Sequence, residues 1–289
     1  PPRRISLPVA NRWGEGRMAV LDFGDADRPV DLVFVHANGF NALTYRSLLA
    51  PLSGSLRLWA PDLRGHGGTS LPADPRGRRS WDDHRDDLIS LLETIDGPPV
   101  VLAGHSMGAT SALLAAAERP DRVSGLVLFD PVIWDRWAVA AFQLPLLDRI
   151  ASQIPLVKAS RRRRAVFDSR EQAMAAYTGR GAFKGWPEMM LADYLVDGLV
   201  ETDAGFTLAC TPEWEASNYG AQSHDPWRAL RQFDRPVRIL RGQSGSTCRM
   251  PERPRGLAHV TVETVPDATH FLPMLRADIA RDALFEAAV

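Results

Sequence analysis

Five residues, Gly104-His105-Ser106-Met107-Gly108, set a hydroxyl between two glycines in the pattern G-x-S-x-G. That spacing suits a strand-to-helix turn so tight that the flanking residues must be small, which lifts a serine hydroxyl clear of a sheet at a helix N-terminus. The surrounding text agrees: Val100-Val101-Leu102-Ala103 reads as a short buried strand, and Ser106 to Glu118 as a small-residue-rich helix ending before Pro120. Ser106 is therefore read as a nucleophile. A hydroxyl attacks poorly until a base takes its proton, and imidazole titrates near enough to neutrality to take it and return it. Seven histidines are available. None pairs with another at metal-ligand spacing on a helix, and Cys210 and Cys248 lie far apart, so no metal and no cofactor is assigned.

The elements that must hold this serine follow an α/β rhythm, short apolar runs alternating with stretches of helical period. Strands are expected at Arg17 to Phe23, Val30 to Val35, Leu56 to Ala60, Val100 to Ala103, Val123 to Phe129, Val237 to Leu240 and Val260 to Val265. Helices are expected at Trp81 to Ile95, Ser106 to Glu118, Trp227 to Phe233 and Ala277 to Ala287. Between Pro131 and Pro226 the strand signal fades into Trp-, Arg- and Met-bearing segments of helical spacing. The expected organisation is a core of residues 1–130 and 227–289, interrupted by a helical lid at 131–226.

Four segments, in order, carry a resemblance: His36-Ala37-Asn38-Gly39-Phe40, Asp62-Leu63-Arg64-Gly65-His66-Gly67, Gly104 to Gly108, and Ala268-Thr269-His270-Phe271. Over nearly its whole length the chain resembles the α/β-hydrolase fold family, in its lid-bearing single-domain branch. The resemblance implies a mostly parallel, eight-stranded-type sheet flanked by helices, with His270 as the base. It also implies an oxyanion hole built from the backbone N–H groups of Met107 and Asn38. Ala37 stands where the family usually has glycine. His36 and His66 match loop-ordering positions, and His105 is the elbow's variable residue. Related dehalogenases and epoxide hydrolases carry aspartate at the nucleophile position, so Ser106 disfavours both chemistries.

The base needs an acceptor to fix its tautomer. In most of the family that acid follows the strand placed here at Val237 to Leu240, but Arg241 to Cys248 contains none. A second location in the family, the end of the strand after the nucleophile helix, is filled by Asp130 in Phe129-Asp130-Pro131. Asp130 is the expected third member, with the capping of a first lid helix as its other explanation. Asp267 lies only three residues from His270, Glu252 sits in a Pro-rich loop, and a dyad assisted by Ser246 is the fallback.

Trp134, Trp137, Phe142, Leu144, Leu146, Leu147 and Ile150 open the inserted region, and Phe183, Trp186, Met189, Met190, Leu191 and Trp214 continue it. They either line an acyl pocket or bury one lid face on the core. Trp134, Trp137, Phe142 and Trp186 are the residues assigned to substrate, a small to medium apolar acyl group. A net charge of −1 gives no global field for nucleic acid or an anionic membrane, and the run Arg161 to Arg164 is either a docking site or a solvated face. No apolar stretch reaches about 18 residues and no h-region follows Pro1, so a cytoplasmic location without a membrane span is expected.

The function expected is hydrolysis of a small-molecule carboxylic ester through an acyl-enzyme on Ser106. A thioesterase or a carbon-carbon bond hydrolase would use the same residues. The missing acid after Leu240 supports another class, a catalytically silent small-molecule sensor.

Overall fold

The computed structural model describes residues 1–144, 154–203 and 205–289. Its strands in chain order are β1 (Arg3–Asn11), β2 (Gly14–Phe23), β3 (Leu32–Val35), β4 (Leu58–Pro61), β5 (Val100–His105) and β6 (Val123–Phe129). After an intervening region holding β7 (Val166–Phe167), β8 (Leu199–Thr202) and β9 (Gly205–Leu208) come β10 (Val237–Gly242) and β11 (Val260–Val265). The main sheet has eight strands in the order β1-β2-β4-β3-β5-β6-β10-β11. The β1–β2 and β2–β4 pairs are antiparallel, and the remaining pairs are parallel.

Strand side chains alternate between the two faces, and both faces are covered, as parallel strands require. Val33, Val35, Leu102 and Leu128 face the helices Asp82–Glu93, Met107–Glu118 and Pro226–Gln232. Leu32, Phe34, Ala103, Val127 and Phe129 face the helices Glu188–Gly198 and Ala277–Ala288. A fully buried leucine on either face contributes about 1.5–3 kcal/mol, so the continuous apolar strands are what fix the sheet's position.

Two expectations need correction. β1 was not anticipated: Ile5, Leu7 and Val9 alternate along a half-exposed edge strand, but Pro8 within so short a run argues against a strand in the text, and only an edge position tolerates it. The inserted region is not purely helical. It holds a small antiparallel sheet in the order β7-β9-β8, with Leu199 opposite Leu208 and Val200 opposite Thr207. Strands of two to four residues are too short to display a period of two.

Candidate active site

Ser106 leaves β5 with φ 55° and ψ −118°, a left-handed conformation that a non-glycine residue adopts only when its surroundings impose it. Those surroundings are backbone. A Cβ on Gly108 would lie 2.3 Å from the His36 carbonyl oxygen and 2.4 Å from that of Val35, and one on Gly104 would meet the Ala109 nitrogen at 2.8 Å. The Ser106 N–H donates to the Phe129 carbonyl at 2.9 Å, tying the bend to the end of the neighbouring β6. The hydroxyl therefore stands at the N-terminus of the twelve-residue helix Met107–Glu118, where the helix dipole favours negative charge.

The C-terminal ends of β5, β6 and β11 converge on one edge of the sheet. His270, in the loop after β11, has Nε2 3.0 Å from Ser106 Oγ and Nδ1 2.9 Å from Asp130 Oδ1. A carboxylate only accepts, so Nδ1 carries the proton and Nε2 is left as acceptor for the serine hydroxyl. Gly242 lets this loop come close, since a Cβ there would lie 2.4 Å from the Thr269 backbone.

Asp130 is fully buried and itself has φ 44°, turning its side chain back toward the sheet edge. Its Oδ2 accepts from the Gly242 N–H at 2.8 Å, and its Oδ1 from the Thr247 N–H at 2.8 Å and the Ser246 hydroxyl at 3.2 Å. Burial opposes its charge, but the hydrogen bond from His270 and the N–H donors outweigh it and hold the carboxyl down at about 2. Ser246 thus serves the aspartate, and the imidazole bonds neither Asp267 nor Glu252, the latter accepting from Thr264.

Asn38 lines the same cavity as Ser106 and His270. Its side chain is clamped from both sides, Nδ2 donating to the Glu215 carbonyl at 3.0 Å and Oδ1 accepting from Asn218 at 2.8 Å. Met107 is the first residue of the helix after the bend, where N–H groups have no partner within the helix. Ala37 takes no left-handed conformation; that step falls on Gly39, with φ 77°. Two buried neutral histidines order the surrounding loops. His36 Nε2 accepts from the Leu63 N–H at 2.9 Å and His66 Nε2 from the Gly39 N–H at 3.1 Å, and burial pushes His36 down to about 4 and His66 well below its usual range.

The cavity in front of Ser106 measures about 390 Å³. Its apolar lining comes from Phe40, Phe183 and Phe271 with Leu156 and Ala159. Trp186 packs against all three phenylalanines without lining the space. The lining also carries polar side chains: Arg163, which donates to Glu215 Oε2 at 2.9 Å and to the Tyr194 hydroxyl at 2.6 Å, with Arg180 and Tyr219.

Of the residues assigned to substrate, Trp134, Trp137 and Phe142 do not line this cavity. Trp134 packs on the core and donates to Gln222, and Trp137 is 75% exposed. Trp214 is structural, its indole donating to the Arg64 carbonyl at 2.8 Å. Leu146, Leu147 and Ile150 lie outside the described residues. Arg163 and Glu215 escaped the sequence reading. The run Arg161 to Arg164 looks uniformly solvated, yet only Arg163 turns inward, and no signal short of its pairing with Glu215 distinguishes it.

Among the described residues no group of three or more His, Cys, Asp or Glu side chains could hold a metal, and no helix is long and apolar enough to cross a membrane. Cys210 and Cys248 are free and buried.

The 2-(acetamidomethylene)succinate hydrolase of Mesorhizobium japonicum is 26% identical over 259 residues, covering 88% of this chain and 86% of that protein. A crystal structure of E-2-(acetamidomethylene)succinate hydrolase matches with a TM-score of 0.75 at 24% identity over 98% of both chains. A thermophilic esterase from Thermogutta terrifontis matches with a TM-score of 0.68 at 22% identity over 98% of this chain and 97% of the other. These two structures are similar in fold. The model of the alpha/beta hydrolase family matches residues 32–283, and on that match, with the strand order and the strained serine, the chain belongs to the alpha/beta hydrolase family of hydrolases.

Proposed function

We propose that the protein is a serine hydrolase that cleaves a small-molecule carboxylic ester through an acyl-enzyme on Ser106. The observation that carries this reading is the continuous line from Asp130 Oδ1 through His270 to Ser106 Oγ, with both hydrogen bonds at or below 3.0 Å. In the first step Ser106 Oγ bonds to the acyl carbon as His270 Nε2 takes the hydroxyl proton. The tetrahedral oxyanion meets the N–H groups of Asn38 and Met107, and collapse expels the alkoxide with the proton held by His270. In the second step water attacks the acyl carbon, gives a proton to the same nitrogen, and Ser106 leaves with it. The segment 131–226 acts as the lid in this reading, supported by its described residues Leu156, Arg163, Tyr177 and Phe183, which line the same cavity as Ser106.

The test is labelling by a fluorophosphonate, followed by a panel of p-nitrophenyl esters of graded acyl length. Labelling at Ser106 and turnover of short to medium esters is the expected result. A folded protein that does not label would defeat the reading and favour the silent binding protein.

The polar side chains in the lining favour a narrower second reading. Arg163 is neutralised by Glu215, while Arg180, also on the cavity, has no carboxylate partner among the described residues. An acyl group bearing an anionic end would meet that charge, and the succinate in the Mesorhizobium relative's name is of this chemical class. Hemisuccinate and butyrate esters in the same panel distinguish the two, because only the anionic acyl group should lose its advantage in Arg180→Ala.

A further inference from the structure

A second line of hydrogen bonds runs behind the first and takes no part in acyl transfer. His105, the last residue of β5, is fully buried, with Nε2 2.7 Å from the His270 carbonyl oxygen and Nδ1 2.8 Å from the Tyr45 hydroxyl. The same hydroxyl lies 3.2 Å from the backbone nitrogen of Ala37, the residue before Asn38.

Every link in this line has a determined direction. A carbonyl only accepts, so His105 Nε2 bears the proton. Burial, reinforced by the neighbouring His270, pushes His105 down to about 3 and keeps it neutral, which leaves Nδ1 as an acceptor. Tyr45, whose phenol burial pushes upward, therefore donates to Nδ1, and its oxygen accepts from the Ala37 N–H. The sequence N–H of Ala37 to Tyr45, Tyr45 to His105, and His105 to the carbonyl of His270 permits no reversal without leaving a buried group unpaired.

We propose that His105 and Tyr45 are positioning residues, a buried strut that holds the loop of the oxyanion donor Asn38 and the loop of the base His270 in a fixed relation around Ser106. The inference rests on the acyl-transfer reading above. Its physical content is that the two loops, over 200 positions apart in sequence, meet through the elbow's own side chain. A displacement of either loop by a fraction of an ångström would misplace a donor or the base relative to the reacting carbon, and misplacement of about 1 Å costs on the order of a hundred-fold in rate.

Three variants test it. Tyr45→Phe removes one oxygen atom. His105→Gln places an amide N–H near the Nε2 position and keeps the bond to the His270 carbonyl, whereas His105→Asn reaches only the Nδ1 position and loses it. Each is measured for kcat and KM on p-nitrophenyl esters, for the rate of fluorophosphonate labelling, and for its melting temperature. Tyr45→Phe should lower kcat and the labelling rate about ten-fold with KM nearly constant, and His105→Asn by ten- to a hundred-fold, with His105→Gln restoring most of that loss. A wild-type labelling rate in Tyr45→Phe overturns the proposal, as do equal losses in Gln and Asn that simply track melting temperature. Should both His105 variants fail to fold, Tyr45→Phe alone decides. Absence of labelling in the wild-type protein overturns the acyl-transfer reading itself and the strut with it, so the two failures are told apart.

Discussion

Replacing Asp130 by asparagine asks what the buried charge contributes, because the structure dictates how the amide will sit. Oδ1 receives His270 Nδ1–H, the Thr247 N–H and the hydroxyls of Ser246 and Thr247, whereas Oδ2 receives, among the described residues, the Gly242 N–H alone. The amide oxygen therefore takes the Oδ1 position and its NH₂ faces the Gly242 N–H. His270 keeps an acceptor and the tautomer that leaves Nε2 free for Ser106, so the variant isolates charge from tautomer. An imidazolium and a carboxylate with charge centres about 4 Å apart at an effective dielectric of ~20 attract by roughly 4 kcal/mol, which corresponds to about 10³ in kcat. The orphaned Gly242 N–H costs a further ~1–3 kcal/mol of stability, seen as a lower melting temperature in a protein that still folds. Steady-state kcat and KM on a p-nitrophenyl ester, with labelling of Ser106 as a control, give the answer. Activity within ten-fold of wild type would refute the reasoning, since the transition-state imidazolium would then have no need of this carboxylate.

Gly108→Ala should prevent accumulation of folded protein: the added methyl would lie 2.3 Å from a main-chain oxygen that cannot step aside, and a soluble variant with an unchanged melt would remove close helix–strand approach as the reason for glycine. Stability should also fall steeply as pH drops below about 6.5. His36, His66, His84, His105 and His224 are all buried with lowered pKa values, so the unfolded chain binds protons that the native state does not, at about 1.4 kcal/mol per pH unit for each. Asp62, raised by burial to about 6, works in the opposite sense as pH falls from about 6 toward 4, and is outnumbered. Melts between pH 7.5 and 4.5 check the balance, and a flat profile down to pH 5 would contradict it.

What the sequence disclosed, it disclosed through backbone constraints. Gly104 and Gly108 are visible as letters because no other residue fits where they stand, and the strained Ser106 follows from them. The parallel strands are legible for a related reason: buried on both faces, Val100 to Ala103 and Leu126 to Phe129 read as unbroken apolar runs. The cavity walls are not legible in this way. Trp134 and Trp186 are equivalent as text, each on a loop just before a helix, yet one packs on the core and the other backs three cavity phenylalanines, and the difference lies in tertiary packing that no local pattern encodes. Arg163 hides among three exposed arginines for the same reason.

The absence of an acid after β10, which first reads as a missing part, is better understood as an exchange between neighbouring strands. β6 and β10 pair in parallel with Phe129 opposite Leu240, so their ends stand side by side, and the Asp130 N–H donates to the Leu240 carbonyl at 2.7 Å. A carboxylate at the end of either strand can reach the same imidazole. When it resides on β6, the loop after β10 is freed to supply donors, and Gly242, Ser246 and Thr247 do so through backbone N–H and hydroxyl groups. A carboxylate retained in that loop would instead bring a second negative charge toward Asp130, raising the proton affinity of one of the pair and weakening the hold on His270. The acid-free stretch Arg241 to Cys248 is thus the complement that an aspartate at position 130 requires.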